Sequence, residues 1–133
     1  MKLLTKDSDY AVRALCALAG DSDRLLSVRE IAAAQGIPYQ YLRKIIQKLI
    51  QAGFLTAKEG GSGGVMLAAD PVKMKVVDII RVMQGEVQVS DCLFKKKVCA
   101  NRNECVLRRN LLRIEKLVEK EFGKITIAGL IKG

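Results

Sequence analysis

The chain opens on an apolar rhythm that steps by three and four. Across residues 5–19 Tyr10, Ala11, Ala14, Leu15 and Leu18 recur at that interval, which puts them on one face of an amphipathic helix. Thr5 stands where an N-cap belongs and Gly20 where the helix must stop. After the polar turn Asp21-Ser22-Asp23, Ser27 and Glu30 stand at capping-box spacing ahead of an apolar stretch at 31–34, so a second, short helix is predicted over residues 28–35. Gly36-Ile37-Pro38 interrupts the pattern, and Pro38 suits the first position of a third helix, where its missing N–H has no partner in any case. In that third helix Leu42, Ile45, Ile46 and Leu49 form the inward stripe, leaving Gln40, Arg43, Lys44 and Gln47 together on the outside.

The period changes after Gly53. Residues 54–57 and 65–68 read as two strands joined by Gly60-Gly61-Ser62-Gly63-Gly64, a hairpin with a glycine-rich tip. Asp70-Pro71 closes it, and Val76, Ile79, Ile80 and Met83 mark a fourth helix that stops at Gly85. From Glu86 to Asn103 the periodicity disappears. Asn101 and Glu104 offer a further capping box, opening a helix with Leu107, Leu111, Ile114 and Val118 in alternating steps of four and three, widened by Leu112 and Leu117. A helix so apolar on one side, following a unit already closed, needs a partner, and a second copy of the chain is the simplest one. The expected architecture is mainly α with a small β-hairpin. It comprises a winged helix-turn-helix DNA-binding domain at 1–85, a cysteine-bearing loop at 86–103, and a long dimerisation helix with a C-terminal segment at 104–133.

Composition adds a partner class. Lys and Arg outnumber Asp and Glu by 23 to 14, so the net charge is +9 and the field attracts polyanions. Half of the 133 residues are hydrophobic, enough to fold one compact unit with an appended element. No basic segment precedes an apolar one at the start, and no apolar run approaches the roughly 20 residues of a membrane span, so a cytoplasmic location without membrane contact is expected.

Two short helices joined by a tight turn and followed by a hairpin set the second helix into the major groove of double-stranded promoter DNA. There Arg43 can donate twice to guanine, and Gln40 or Gln47 can pair with adenine. Arg29, Lys44 and Lys48 suit phosphates, with Tyr39 and Tyr41 in the same interface. Lys58, Ser62, Gly63 and Gly64 bring the hairpin's backbone close to phosphates or the minor groove.

The chain contains no histidine, which removes Ser-His-Asp and Cys-His catalysis, so neither an enzyme nor a small-molecule substrate is expected. Three of its four cysteines are clustered as Cys92-x6-Cys99-x5-Cys105, among Lys95, Lys96, Lys97 and Arg102. Three thiolates in one polar loop can hold a soft metal centre, iron–sulfur ahead of zinc; a redox disulfide and inert thiols are the alternatives. Cys16, in the middle of the first helix, is expected to pack as a small hydrophobe.

Thr5-Lys6 with Asp9-Tyr10-Ala11 and Arg13, Glu30-Ile31-Ala32, Gly36-Ile37-Pro38, Tyr41-Leu42, Leu49 with Ala52-Gly53, Gly60 with Gly63-Gly64, the three cysteines and Ile125-Thr126-Ile127 follow one another along nearly the whole chain. In this order they resemble the IscR/NsrR/RirA family of iron–sulfur regulators, also called the BadM family. The resemblance implies a homodimer whose long helices cross. It also implies an iron–sulfur cluster, [2Fe-2S] or [4Fe-4S], on Cys92, Cys99 and Cys105, and promoter binding that depends on cluster state. The histidine ligand of IscR falls on Arg108, which excludes a three-Cys, one-His site. The aspartate that the other protomer supplies in NsrR-like members falls on Asp9, with Asp7, Glu104 or an exogenous ligand as alternatives. Glu59 replaces a usual arginine before the glycine run, and Arg43 replaces the glutamate of IscR, so the target sequence does not carry over. The competing expectation is a cluster-free or zinc-bound regulator acting through thiol redox state or a protein partner.

Overall fold

The computed structural model describes residues 3–20, 25–60, 63–89 and 105–132. In chain order they form α1 (Lys6–Ala19), α2 (Val28–Gln35), α3 (Tyr39–Gln51), β1 (Leu55–Lys58), β2 (Gly64–Leu67), α4 (Val76–Gln84), α5 (Val106–Lys124) and α6 (Ile127–Lys132). Local chemistry sets these bounds. The Thr5 hydroxyl accepts from the Ser8 N–H at 3.3 Å, and Ser27 and Glu30 cap α2 reciprocally at 3.1 and 3.3 Å. Gly36 ends α2 with φ of 66°, a left-handed conformation that a residue without Cβ adopts freely. Pro38 is the N-cap of α3 and not its first helical residue. Its ψ of 130° is extended even though its carbonyl already accepts from the Leu42 N–H at 3.0 Å.

Each strand lies one residue from its expected place, and the cause is pairing. Leu55 opposes Leu67 and Ala57 opposes Val65, so the four side chains share one face, on which Leu55 and Val65 are buried and Ala57 is exposed. The free edge of β2 is also used: Leu26 and Val65 exchange two backbone hydrogen bonds at 3.2 and 2.8 Å. The hairpin is thereby tied to the segment that leads into α2.

The core collects the predicted stripes: Ala11, Ala14, Leu15 and Leu18 of α1, Ile31 of α2, the four apolar residues of α3, Leu55 and Val65 of the hairpin, and Ile79 of α4. It also contains Ile127, fully buried, from a helix that the sequence pattern does not mark. Backbone bonds hold it there: Val76 N–H to the Ile125 carbonyl and Ile127 N–H to the Met74 carbonyl, both at 2.9 Å, and Ala128 N–H to the Pro71 carbonyl at 3.1 Å. Burying one such side chain is worth about 1.5–3 kcal/mol, so α6 belongs to the same cooperative core as α1.

The long helix departs from expectation in two ways. Its N-cap is Cys105, whose sulfur accepts from the Arg108 N–H at 3.5 Å; the anticipated capping pair, Asn101 and Glu104, lies outside the described residues. Its apolar rows also divide. Val118 and Phe122 pack on Val76, Ile80 and Val87 of their own chain, whereas Leu107, Ile114 and Leu117 are 65%, 41% and 48% exposed. Glu115 is the buried residue of this helix, and burial, followed by the nearby charges of Glu119 and Glu86, pushes its carboxyl pKa up. Among the described residues no helix is long and apolar enough to cross a membrane.

Candidate nucleic-acid interface and cysteine site

The inward clamp of α3 leaves Gln40, Tyr41, Arg43, Lys44, Gln47 and Lys48 exposed on one side, as the pattern predicts. Gln40, Tyr41, Lys44 and Lys48 line a cleft of about 440 Å³ together with Asp7, Pro38 and Ile45. Arg43 and Gln47, one helical turn apart, occupy the other flank of the same face. Tyr39 is half-buried against the core, and the Arg29 guanidinium stands 4.1 Å from its ring centroid. Such a contact is worth about 0.5–1 kcal/mol at an exposed site and holds the Arg29 guanidinium, from the first turn of α2, beside the first residue of α3.

At the hairpin Lys58 is exposed and opposes Gly64 in the ladder. A Cβ on Gly64 would lie 2.6 Å from the Leu26 carbonyl oxygen, and one on Gly63 would lie 2.1 Å from that of Lys58. Both glycines are therefore demanded by close backbone approach, a reason separate from any access to DNA. Ser62 lies outside the described residues.

The first turn of α1 reaches α3. The Tyr41 phenol donates to Asp7, its ring meets Tyr10 edge-on at 5.4 Å and 88°, and Lys6 Nζ lies 5.7 and 6.0 Å from the two ring centroids. The hydrogen bond to Asp7, with some desolvation and the carboxylate charge, pushes the Tyr41 pKa above its ordinary value. On the other side of the same turn Ser8 is fully buried and donates to Gln84 Oε1 at 2.6 Å, which also accepts the Thr5 N–H at 3.0 Å. Gln84 Nε2 donates to the Leu3 carbonyl at 3.2 Å. Sequence reasoning missed this knot, although one signal was present: Ser8 stands in helical register with Ala11, Leu15 and Leu18, a polar residue on the inward face. Gln84→Ala leaves the Ser8 hydroxyl and the Thr5 N–H without their acceptor. It is expected to cost about 1–3 kcal/mol, read as a lower urea midpoint with an unchanged m-value.

Of the clustered cysteines Cys105 is among the described residues, and Cys92 and Cys99 lie outside them. Cys105 is half-buried at the start of α5. One turn on, Arg108 Nε is buried without a hydrogen-bond partner among the described residues. A buried guanidinium N–H with no acceptor among the described residues, on a residue three positions from a half-buried cysteine, suits an anionic sulfur centre, because thiolates and sulfides would supply what it lacks. The residues present thus fit an iron–sulfur group, although among the described residues no three metal-ligating side chains converge. Asp9 is part-exposed and pairs with Arg13 at 3.2 Å. An i,i+4 surface pair contributes only about 0.3–0.5 kcal/mol, so its carboxylate can be given up to a metal at little cost. Cys16 is half-buried against the core, and burial raises its thiol pKa.

A helix-turn-helix whose second helix presents a polar, basic face, backed by a hairpin tied to the approach of α2, defines a winged-helix DNA-binding transcriptional regulator. Residues 4–133 match the Rrf2 family, described as an iron-dependent transcriptional regulator, and the chain belongs to that family. It is 33% identical over 130 residues to the HTH-type transcriptional repressor NsrR of Streptomyces coelicolor, spanning 96% of this chain and 87% of the relative. Among solved structures it is similar to T. potens IscR, with a TM-score of 0.79 and 29% identity over 99% of this chain and 87% of that one. It shares its fold with CymR, the global cysteine regulator of B. subtilis, at a TM-score of 0.82 and 24% identity over 99% of this chain and 98% of that one. The relatives are regulators of transcription and not enzymes.

Proposed function

We propose that the protein is a homodimeric repressor whose grip on promoter DNA is set by an iron–sulfur cluster on Cys92, Cys99 and Cys105, with Asp9 of the second copy as fourth ligand. The observation that carries this reading is Cys105 at the N-cap of α5, its sulfur accepting from the Arg108 backbone N–H, together with a buried Arg108 Nε that has no hydrogen-bond partner among the described residues. When bound, such a cluster supplies a centre that responds to redox state and to small reactive ligands. Arg108 donates to its sulfur atoms, and Cys105 ties the 86–103 segment to α5. In the 1–85 unit Gln40, Arg43 and Gln47 read bases. Arg29, Lys44, Lys48 and Lys58 hold phosphates, Tyr39 and Tyr41 brace α3, and Ser62, Gly63 and Gly64 bring the wing close. Within the 104–133 segment the exposed row of α5 joins the two copies, while α6 belongs to the core of the DNA-binding half.

The test is anaerobic purification with an absorption spectrum and iron and sulfide analysis, repeated on Cys105→Ser, followed by DNA titration of holo and apo protein. Coloured protein containing iron and sulfide, loss of both in the variant, and unequal DNA affinity of the two forms are expected. Protein that stays colourless and iron-free after reconstitution overturns the cluster and leaves DNA binding standing. Equal affinities overturn the sensing, because only a difference in affinity between states shifts an equilibrium. A second reading, a zinc-bound or cluster-free regulator working through thiol oxidation or a protein partner, draws on Arg108, which cannot ligate a metal where IscR has its histidine. Colourless protein with stoichiometric zinc is the mark of its zinc-bound form.

A further inference from the structure

We propose that Asp7 is a positioning residue for DNA recognition, acting through Tyr41: its carboxylate accepts the phenol hydrogen and sets the pitch of α3 against the first turn of α1. The inference rests on the reading that α3 enters the groove. The inward face of α3 is held by Leu42, Ile45, Ile46 and Leu49, and apolar packing of this kind is non-directional, fixing separation better than roll. The bond from Tyr41 to Asp7 is directional, joins residues 34 positions apart, and sits in the first turn of α3, the end of a recognition helix that meets base edges. Tyr10 and Lys6 close on the same ring. The turn that carries Asp7 is itself immobilised from behind, since Ser8 and Thr5 are bonded to Gln84 at the end of α4. Tyr41 thus leans on a fixed post.

A second fact sharpens the argument. Asp7 lines a cleft with Lys44 and Lys48, a surface offered to phosphates, where a carboxylate opposes binding by simple charge. Electrostatics alone predicts that removing it tightens DNA binding. The positioning role predicts the opposite sign for the specific site.

The test measures affinity by fluorescence anisotropy for a duplex recovered from a randomised pool by the wild-type protein, and for a scrambled duplex. Asp7→Ala and Tyr41→Phe are each expected to weaken the recovered duplex by about 10–150-fold and the scrambled one far less, the scale of a lost hydrogen bond to a charged group. The double variant is expected to be no worse than either single one, because both remove the same bond. Asp7→Asn is expected to stay within about twofold of wild type, since the amide carbonyl accepts the same phenol hydrogen. Wild-type-like circular dichroism and cooperative melting well above the assay temperature would show that loss of the fold is not the cause. Asp7→Ala binding as tightly as wild type or more tightly overturns the proposal, as do additive losses or an Asn variant as weak as the Ala variant. A wild-type protein that recovers no duplex overturns the DNA reading itself, which separates the two failures.

Discussion

Gly64→Ala is expected to destabilise the protein by about 2–4 kcal/mol and to loosen the wing from the body, the sum of an overpacking cost and weakened hydrogen bonds. The new Cβ would meet the Leu26 carbonyl oxygen at 2.6 Å, the Leu26 carbonyl carbon at 2.8 Å and the Ser27 nitrogen at 3.2 Å. All three are backbone atoms, so no rotamer change relieves the clash. Relief requires β2 to move away from Leu26, which stretches the two bonds between Leu26 and Val65 and disturbs Ser27, the cap of α2. Gly60→Ala is the control. Gly60 has φ of 116° but nothing within 4 Å of its missing Cβ, so that variant carries backbone strain without collision. Urea midpoints for the two variants compare these costs directly; equal destabilisation would show that close approach to Leu26 does not matter.

Leu117→Asp is expected to convert the proposed dimer to a folded monomer and to weaken binding to a two-half-site operator by about 100-fold or more, the scale lost when two modules no longer bind as one. Leu117 and Ile114 border an apolar cleft of about 290 Å³ formed with Leu3, Val118, Phe122 and Ile125. A carboxylate there is desolvated once a second copy covers it, and Arg113 and Lys120, which line a neighbouring cleft with Leu117, are too exposed to offset the whole cost, so ionised dimer gives way to monomer. The side chain is 48% exposed in the single chain, so the monomer fold survives. Light scattering after size exclusion gives the mass, and circular dichroism confirms the fold. A variant that remains dimeric removes this face of α5 from the interface.

Periodicity made the winged-helix half legible. The stripes of α1, α3 and α4 reach the core where the three-and-four rhythm puts them, and the Ser27–Glu30 box starts α2 as predicted. What escaped was non-local. Residues 127–132 are too few to display a period, so α6 had no signal apart from its apolar opening. Which α5 row turns inward depends on α4, and Val118 could not be separated from Ile114 by spacing alone. Ser8 with Gln84 and Asp7 with Tyr41 pair across 76 and 34 positions, beyond any local pattern. In the candidate site the outward residues of α3 were readable as a face, whereas the glycines of the hairpin have a packing cause that only the approach to Leu26 and Lys58 exposes.

The place of Ile127 in the core also bears on how the protein is made. Ile127 is the last member of its buried cluster to leave the ribosome, well after Ala11 and Leu15 of the first helix synthesised. A nascent chain that has produced the helix-turn-helix and the hairpin still lacks one wall of its interior, so its folding is completed only after α5 has been translated. The step that seals the DNA-reading half therefore follows synthesis of the helix proposed to join two copies, and a cell would not accumulate a finished reader ahead of its means of assembly.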